Sequence, residues 1–449
     1  MKIKIYRSST VGIFSGGVKI LMDPWLTDGE YYGSWFHYPY FKIDNYIDEL
    51  NSFDAIYISH IHPDHCSEKT LKRLKNDIPI YIHSYHEKFL KFKLERLGFK
   101  VIELQNNKRT HIKGNVNINI IAADNCNPSL CYKFFGCKDA SNLNGSNQID
   151  TISVIDDGKF SILNINDAPY SLCEESLGEV INQYDKIDLL LTGYTGAGPF
   201  PQCVDNFNTE QKKIEAENKK LSFLNQAFKF IKKIKPNYYV PFAGTYVLGG
   251  KFTLLNNLRG VSSIDEAYNF IDGLIKADKD LNTKSMKINY ETFFDLSLNE
   301  HEEPYNPISS KDKEIYIGSL KNEPFDYEVK PLLEDEELIE KSKKAYEKYL
   351  NRKLINNFKS DTSIYVQLKD RYIQIDNSKD LLEFPKIGDM DINKKLIMIK
   401  TDTRLLSDLL SGPKFAHWNN AEIGSHLRFF RQPNIFERGV YESMSYFHI

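Results

Sequence analysis

The sequence lacks long apolar segments and is poor in cysteine, and these two absences exclude several classes of protein. No stretch approaches the roughly 18 consecutive apolar residues that a membrane-spanning helix needs. The N-terminal run MKIKIYRSST also lacks the apolar segment of a signal peptide. Six cysteines in 449 residues are too few for a disulfide scaffold, so we expect reduced thiols and a soluble, cytoplasmic protein without a membrane span.

An excess of charge of one sign is also missing. The formal net charge of -3 gives no general attraction to nucleic acid or to an acidic membrane surface. Apolar and aromatic side chains are abundant instead, at 41% and 13% of the residues. This composition supports a large buried core, and the length is typical of two or three domains without internal repeats. We expect a small-molecule partner rather than a nucleic acid.

The order of predicted strands and helices indicates how these domains divide the chain. Strands alternate with helices through residue 250, which predicts one α/β catalytic domain over 1–250. Residues 251–357 are mixed and end in a charged helix, so we interpret them as a mixed, helical connecting region. Three strands and a helix within 358–449 predict an additional α+β domain.

Four side chains able to bind a metal lie within six residues, in the run HIHPDH. His60 and His62 alternate on an extended segment and can point the same way. Pro63 disfavours a helical conformation at His62, and Asp64 and His65 follow at once. Neutral imidazole together with carboxylate binds zinc, iron or manganese. The alternative is a histidine-rich loop without a metal, but the order strand, motif, helix favours a metal site.

The H-x-H-x-D-H motif resembles the signature of metallo-β-lactamase-fold proteins, over about residues 1–250. The resemblance implies an αββα sandwich with the metal site at one edge of its two sheets. In that family one metal takes the two alternating histidines and a third histidine. A second metal takes the aspartate, the adjacent histidine and a final histidine, and a later aspartate bridges both metals.

Only part of this ligand pattern is present here. Asp167 matches the bridging aspartate. The third histidine has no counterpart, because the sequence contains no histidine between His111 and His301. Asp124, directly after the strand NINIIAA, is the predicted substitute, although it could instead cap the following turn. The final histidine is replaced by Ala243, which cannot bind a metal.

These substitutions change the expected metal. With Asp124 as a ligand, the first metal would have two imidazoles and one carboxylate, the set found in many non-haem iron(II) oxygenases. The second would have Asp64, His65 and Asp167. Fewer imidazoles and more carboxylates favour iron or manganese over zinc. We therefore expect one or two divalent transition metals, either iron or zinc, with manganese as a further candidate.

Other segments have a narrower resemblance. PFAGTY, YTGAGPFPQC and HWNNAEIGSHLRFFRQP are similar to the metallo-β-lactamase-like part of CMP-N-acetylneuraminate hydroxylases. This sequence has no C-x-H paired with C-x-x-H and therefore no Rieske cluster, so oxidative chemistry would need a separate electron donor. The C-terminal domain also resembles sterol-carrier-type domains; a structural or dimer-forming role is the alternative.

Three functional hypotheses follow. The first is a metal-dependent hydrolase whose metal-bound hydroxide attacks an ester, lactone, amide or phosphodiester, including those of a sugar or nucleotide-sugar. The second is a non-haem mono- or diiron oxygenase related to the CMP-N-acetylneuraminate hydroxylases. The third is a degenerate, non-catalytic metal-binding protein, because the substitution at Ala243 removes an expected ligand.

Substrate contacts are predicted at two places, and the catalytic residues are predicted to be Asp64, Asp167 and Tyr194. Thr195 and Gly196 belong to the glycine-rich run GYTGAGP, which could bind an anion or could simply end a strand. His417 and Arg428 would reach the substrate if the C-terminal domain covers the site; otherwise they lie on the surface.

Overall fold

The computed structural model describes residues 1–123 and 150–449, and the first part of the chain forms two stacked sheets. Asp124 lies outside the described residues. The strands of this first unit, in chain order, are Lys2–Arg7 (β1), Thr10–Ser15 (β2), Val18–Met22 (β3), Trp35–His37 (β4), Ala55–Tyr57 (β5), Ile80–His83 (β6), Val101–Leu104 (β7), Thr110–Lys113 (β8), Val116–Ala122 (β9), Thr151–Asp156 (β10), Ser161–Asn164 (β11), Leu189–Gly193 (β12), Tyr238–Phe242 (β13), Tyr246–Leu248 (β14), Lys284–Ser285 (β15), Phe293–Asp295 (β16) and Glu300–His301 (β17).

The order of the strands combines antiparallel hairpins with parallel pairs. The first sheet has the order β17-β16-β1-β2-β3-β5-β6-β7, and β3, β5, β6 and β7 run parallel to one another. The second has the order β15-β13-β12-β11-β10-β9-β8, and β11, β12, β13 and β15 are parallel. Strands β4 and β14 form a separate antiparallel pair. The parallel strands bring the loops after their carboxyl ends to one edge.

Alternating side chains explain why the two sheets stack. In β5, Ala55 and Tyr57 point into the core between the sheets, whereas Ile56 points to the opposite face. In β12, Leu189 packs into the same core and Leu190 points away from it. Because successive strand residues face opposite sides, a strand that is buried on both faces has apolar residues at successive positions, as in β5 and at Leu189–Leu191 of β12.

Helices cover the outer faces of both sheets and also build the C-terminal unit. The α-helices are Glu30–Gly33 (α1), Ile47–Leu50 (α2), Glu68–Leu71 (α3), Phe89–Arg96 (α4), Tyr170–Gln183 (α5), Thr209–Ile234 (α6), Ile264–Ala277 (α7), Ser310–Ser319 (α8), Asp335–Ile355 (α9), Thr403–Ser411 (α10), Trp418–Ile423 (α11) and Arg438–Met444 (α12), and the 3₁₀ helices are Ile43–Asn45, Gly250–Leu258 and Leu320–Asn322. Helices α2 to α4 pack on the first sheet, and α5 to α7 pack on the second. The first unit is therefore an αββα sandwich.

The long helix α6 shows how local sequence sets an element that faces the site. Its N-cap is Asn208, whose side chain accepts a hydrogen bond from the backbone N–H of Gln211. The Gln211 side chain accepts in turn from the Asn208 backbone N–H, which completes a capping box. The helix ends at Ile234, before Pro236, as its sequence predicts.

The C-terminal unit is α+β. Its strands are Ser363–Gln367 (β18), Tyr372–Asp376 (β19), Leu381–Glu383 (β20), Leu396–Lys400 (β21) and Arg428–Gln432 (β22). They form one sheet in the order β20-β19-β18-β21-β22. Helices α9 and α10 bury their apolar faces against this sheet.

Residues 251–357, predicted as a connecting region, contribute to both units. Strands β15 and β16 extend the two sheets of the sandwich, where β16 pairs with β1. Phe325 and Leu338 instead belong to the core of the C-terminal unit. No helix within the described residues is both long enough and apolar enough to cross a membrane.

The two units are joined by backbone hydrogen bonds. The N–H of Asp205 donates to the Phe429 carbonyl at 2.7 Å, and the N–H of Phe429 donates to the Cys203 carbonyl at 2.9 Å. Beside them, the Asn206 amide donates to the Arg431 carbonyl and accepts from the Arg431 N–H. The strand β22 therefore holds the C-terminal unit against the loop that follows β12.

Candidate metal centre

The predicted ligands gather at the edge where parallel strands of both sheets end. Asp23 follows β3, and Ser59 and His60 follow its parallel neighbour β5. On the second sheet, Asp167 follows β11 and Ala243 follows β13. Carboxyl ends of neighbouring parallel strands share one edge, so residues far apart in sequence meet there.

One group of potential ligands consists of His60, His62 and Asp150, with one donor atom from each residue lying within 4.8 Å of the others. The Nε2 atom of His60 is 3.8 Å from a carboxylate oxygen of Asp150. Asp150 immediately precedes β10 and offers the carboxylate of this group, whereas Asp124, the carboxylate that the sequence analysis predicted, lies outside the described residues. This group has the two imidazoles and one carboxylate expected for the first metal.

A second group shares His60 and adds His65 and Asp167, again within 4.8 Å. The Nε2 atom of His65 is 3.4 Å from Asp167 Oδ1 and 3.7 Å from Asp64 Oδ2. The structure thus brings together five of the six residues predicted as metal ligands. The sixth is Asp124.

Hydrogen bonds settle which nitrogen of each ring faces the carboxylates. Asp23 is fully buried, and it accepts hydrogen bonds from the Ser59 hydroxyl at 2.8 Å and from His65 Nδ1 at 2.9 Å. Since the Ser59 hydroxyl donates to Asp23, its oxygen accepts from His60 Nδ1, 2.9 Å away. His60 and His65 therefore use Nδ1 for these outer hydrogen bonds, and Nε2 of each ring is the nitrogen directed at the carboxylates, as in metal-binding histidines.

A polar link between the two sheets fixes Asp150 relative to His60. The Thr151 hydroxyl, next to Asp150, donates to the backbone carbonyl of Ser59 at 2.9 Å. Tyr57, inside the sandwich, contacts the same hydroxyl at 2.8 Å. Because these groups are buried, the loops carrying the two groups of ligands cannot separate without losing hydrogen bonds that water would not replace.

The electrostatics of the histidines differ. Burial lowers the pKa of His60 well below its usual range, and it also lowers the pKa of His62. Burial acts in the same direction on His65, but the surrounding carboxylates, Asp167 foremost, raise the pKa of His65 well above its usual value. In the metal-free protein at neutral pH, His60 and His62 are neutral, and His65 carries the positive charge that balances the carboxylates.

The carboxylates respond to the same surroundings. Burial raises the pKa of Asp64. Burial acts similarly on Asp167, but the histidines, with His65 first, lower the pKa of Asp167 below its usual value. The Tyr31 hydroxyl donates to Asp64 Oδ1 and fixes that carboxylate. A cation bound here would take over the charge balance that the His65 proton provides.

Tyr31 lies in a strained turn. Tyr31 and Tyr32 have φ values of 51° and 59°, in the left-handed region that non-glycine residues seldom adopt. Gly29 and Gly33 flank them with φ of 81° and 89°. Such strain persists only where the surrounding structure enforces it, and it is found often at functional sites.

A cavity of about 180 Å³ opens beside the second group of ligands. Asp64 and Asp167 form its metal side, and Ala243 stands next to them where the family's final histidine is expected. The remaining lining residues include both small and polar side chains; they are Ser8, Trp35, Asn166, Ala168, Thr192, Gly193, Thr195, Gly196, Ala197, Phe223, Gln226, Phe230, Gly244 and Tyr246. This cavity is the candidate substrate site.

The residues predicted to contact substrate have different locations. Thr195 and Gly196 line the cavity, and the Thr195 hydroxyl is buried without a hydrogen-bond partner in the described residues. Tyr194 points the other way, into the core beneath α6, and its burial raises its pKa well above the usual value. His417 caps α11, and Arg428 pairs with Asp205 at the junction of the two units.

Sequence reasoning did not identify Asp23, Asp150, Tyr31 or Asn419. A signal existed for Asp23, because a lone aspartate ends the apolar run ILMDPW on a strand next to the histidine motif. Asp150 had a weaker signal, as an acidic residue at the start of a strand. The segment HWNNAEIGSHLRFFRQP was singled out for its resemblance, but no role was predicted for its Asn419, whose Oδ1 lies 2.9 Å from His62 Nε2 across 357 residues of chain.

The residues present fit a divalent transition metal. His60 Nε2 is buried and has no hydrogen-bond partner among the described residues, which is costly for a polar atom unless something binds it. The donors around it are imidazole nitrogens and carboxylate oxygens, which suit zinc, iron and manganese.

Comparisons with known proteins give one family match and several sequence relatives. Residues 2–132 match the β-lactamase superfamily domain. Cytidine monophosphate-N-acetylneuraminic acid hydroxylase from Mus musculus is 28% identical over 246 residues, covering 52% of this chain and 37% of the mouse protein. The inactive human counterpart is 29% identical over 245 residues, covering 52% of this chain and 42% of the human protein. The chain thus matches less than half the length of each relative.

Solved structures give lower similarity. An isothiocyanate hydrolase from Delia radicum gut bacteria aligns with a TM-score of 0.43 at 15% identity, covering 66% of this chain and 99% of that one. CmlA, a diiron β-hydroxylase from Streptomyces venezuelae, aligns with a TM-score of 0.41 at 16% identity, covering 65% and 53%. The family match covers residues 2–132 of the αββα sandwich, and about half of the chain is similar in sequence to the hydroxylases named above.

Proposed function

We propose that this chain, whose αββα sandwich is similar to a metallo-β-lactamase-type domain and to N-acetylneuraminic acid hydroxylases, is an iron-dependent oxygenase. The substrate would be a small sugar acid or nucleotide-sugar. The observation that carries this proposal is the donor set of His60, His62 and Asp150, which has two imidazoles and one carboxylate. The reaction would hydroxylate a C–H bond with dioxygen.

The donor set supports iron over zinc. The first group has Asp150 where the family's zinc sites use a third imidazole, and the second lacks the final imidazole because Ala243 stands in its place. Two imidazoles and one carboxylate leave coordination positions open and are typical of non-haem iron(II) oxygenases. Iron held here would supply the activation of dioxygen that organic side chains cannot provide.

The balance of the reaction requires electrons from elsewhere. One dioxygen, two electrons and two protons convert R–H to R–OH and release one water. This sequence holds no Rieske motif, so we propose a separate one-electron carrier, such as a ferredoxin-type protein, as the donor.

The chain's own residues would position substrate beside the metal. Asp64 and Asp167 face the cavity, and the Tyr31 hydroxyl holds Asp64 in place. Thr195 and Gln226 offer a hydroxyl and an amide from the opposite wall, which suits a polyhydroxylated substrate. Tyr246 stacks on Trp35 with ring centroids 3.4 Å apart, and these rings close one side of the cavity against water.

Hydrolysis is the second candidate, and one observation favours it. Asp64 and Asp167 both line the cavity, so they could orient a water for attack on an ester, lactone, amide or phosphodiester without any electron donor. The two candidates share the metal centre and differ in whether dioxygen is consumed.

The test begins with protein purified without added metal. Metal content is measured by mass spectrometry, and the protein is then reconstituted with iron(II) under anaerobic conditions. Oxygen uptake is followed with CMP-N-acetylneuraminate or free N-acetylneuraminate as substrate and a reduced ferredoxin system as electron donor. Mass spectrometry of the product after reaction under ¹⁸O₂ shows whether the new hydroxyl comes from dioxygen.

We expect iron in the purified protein and one ¹⁸O atom in the product. The His60→Ala/His62→Ala double variant is the matched control and should lose both the metal and the oxygen uptake. Zinc as the sole bound metal, with ester or phosphodiester cleavage that is unaffected by removing oxygen, would replace this proposal with hydrolysis. A protein that retains its metal after loss of both histidines would contradict the assignment of the centre itself.

A further inference from the structure

The C-terminal unit reaches the metal centre through the segment 417–426. The side-chain Oδ1 of Asn419, in α11, lies 2.9 Å from Nε2 of His62. The backbone N–H of His417 donates to the Tyr32 hydroxyl at 2.7 Å, and His426 Nε2 donates to the Tyr31 carbonyl at 2.7 Å. The segment thus contacts a proposed ligand directly and also the turn that positions Asp64.

The orientation of the Asn419 amide follows from its second partner. The same side chain also interacts with the carboxyl group of Glu422, one turn later in α11, and acts to lower the pKa that burial raises there. A carboxylate only accepts, so the Asn419 NH₂ group must face Glu422, and the carbonyl oxygen is left for His62. His62 therefore donates from Nε2, and its Nδ1 atom is the unprotonated one.

This contact completes a pattern at the three histidines. His60 and His65 each use Nδ1 for a hydrogen bond, to Ser59 and to Asp23, and keep Nε2 for the site. His62 instead uses Nε2 for its hydrogen bond, to Asn419, which leaves Nδ1 for the site. Fixing one nitrogen sets the tautomer and the ring orientation of a metal ligand, and losing such a partner typically costs about 10–100-fold in metal affinity.

We propose that Asn419 is a positioning residue for His62, so that the C-terminal unit completes the metal centre of the sandwich. This inference rests on the metal binding in the proposed function but not on the oxygenase reaction. It gives the C-terminal unit a role in the site that a purely structural or dimer-forming unit would not have.

Three substitutions in the full-length chain separate positioning from docking. Asn419→Ala removes the acceptor, and Asn419→Asp replaces it with a carboxylate acceptor. Asn206→Ala is the matched control, because Asn206 is also an asparagine with two hydrogen bonds between the two units, but its partner is the backbone of Arg431 rather than a ligand. Thermal unfolding shows which variants remain folded.

Cobalt(II) is the probe. Its visible spectrum reports the geometry of its ligands, and the affinity of the protein for cobalt(II) can be measured by competition with a chelator. We expect Asn419→Ala to bind cobalt about 10–100-fold more weakly with an altered spectrum, and Asn419→Asp to recover most of the affinity. Asn206→Ala should match the wild type. NMR of ¹⁵N-histidine-labelled cobalt protein should show the His62 Nε2–H proton in the wild type and its loss in Asn419→Ala.

The outcomes are distinguishable from those of the oxygenase test. Equal cobalt affinity and spectrum in Asn419→Ala and the wild type would overturn the positioning role. An equal loss in Asn206→Ala would also overturn it and would leave docking alone as the function of the contact. A wild type that binds cobalt in the expected way but consumes no oxygen would reject the oxygenase and leave the role of Asn419 intact.

Discussion

At the scale of single residues, the centre depends on which atom of each ring is free. Asp23, Ser59 and Asn419 each hydrogen-bond to one nitrogen of a histidine, and Nε2 of His60 and of His65 faces carboxylates. These outer partners accept hydrogen bonds, so each one orients its histidine and leaves the other ring nitrogen for a metal. The ligand set is therefore prepared before any cation binds.

Substitution of Asp150 tests whether the carboxylate ligand beside His60 and His62 is Asp150 or Asp124. We expect Asp150→Ala to weaken metal affinity at the first group by at least about 10–100-fold. Loss of a residue that only hydrogen-bonds to a ligand typically costs that much, and Asp150 would be a ligand itself. Asp150→Glu should retain part of the affinity. The measurement is metal per chain after gel filtration, made in parallel on Asp124→Ala. Loss of metal in Asp124→Ala, with normal content in Asp150→Ala, would assign the ligand to Asp124 instead.

Ala243 offers the converse experiment. It lines the cavity beside Asp64 and Asp167, and its φ of 65° lies in a region that histidine tolerates better than most residues. We expect Ala243→His to bind the second metal more tightly, on the order of tenfold for about 1.4 kcal/mol of added binding. Isothermal titration with zinc measures this.

The control for that variant places a histidine elsewhere on the same cavity. Ala197→His adds an imidazole to the exposed loop after β12. Its affinity for the second zinc ion should equal that of the wild type. Equal affinities in Ala243→His and the wild type would show that position 243 does not face the second metal.

At the scale of elements, loops at strand ends carry the chemistry and helices hold those loops. Helix α6 supplies Phe223, Gln226 and Phe230 to the cavity wall. Its first turn is held by the capping box of Asn208 and Gln211. The stability of this helix and the shape of the cavity are therefore linked.

The cap can be tested alone. Asn208→Ala removes the acceptor for the Gln211 N–H, so the free energy of unfolding should fall by about 1 kcal/mol, as for other N-caps. Urea denaturation measures the change. Cobalt affinity should stay unchanged, because the cap lies at the far end of the helix from the residues that line the cavity. An unchanged free energy of unfolding would show that the capping box makes no net contribution to the stability of the protein.

At the scale of the whole molecule, buried neutral histidines join the two units. His426 lies between the Tyr31 carbonyl and the Tyr327 hydroxyl, where burial lowers its pKa to about 4. His37, inside the sandwich, has its pKa lowered to about 3, mainly by burial and also by Arg7. Between pH 6.5 and 4 these side chains take up protons in the unfolded chain but not in the folded one.

Stability should therefore fall as the pH falls through that range, because the unfolded state binds more protons. One such histidine contributes up to about 1.4 kcal/mol per pH unit. His426→Gln cannot titrate, so its free energy of unfolding should fall by about 2 kcal/mol less than that of the wild type between pH 6.5 and 4.5. Urea denaturation at both pH values measures this. An identical drop in both proteins would contradict the prediction, and exposed His86→Gln is the control.

Much of the fold follows from local sequence. Alternating apolar residues, the Gly16-Gly17 hairpin and the capped helix at 209–234 are properties of short segments, and the αββα sandwich with its α+β extension is confirmed. The division of residues 251–357 is different, because strands β15 to β17 are two or three residues long and are defined by the sheets they join. No short segment contains that information.

The sequence by itself determined the nucleus of the candidate metal centre, because four potential ligands lie within six residues and their spacing is set by backbone geometry alone. The tertiary structure decided the rest. Asp23 meets His65 across 42 residues and Asn419 meets His62 across 357, and such contacts arise only when sheet edges and the C-terminal unit come together. A carboxylate or an amide becomes a partner of a metal ligand through its distance and burial, which the identity of the residue does not encode.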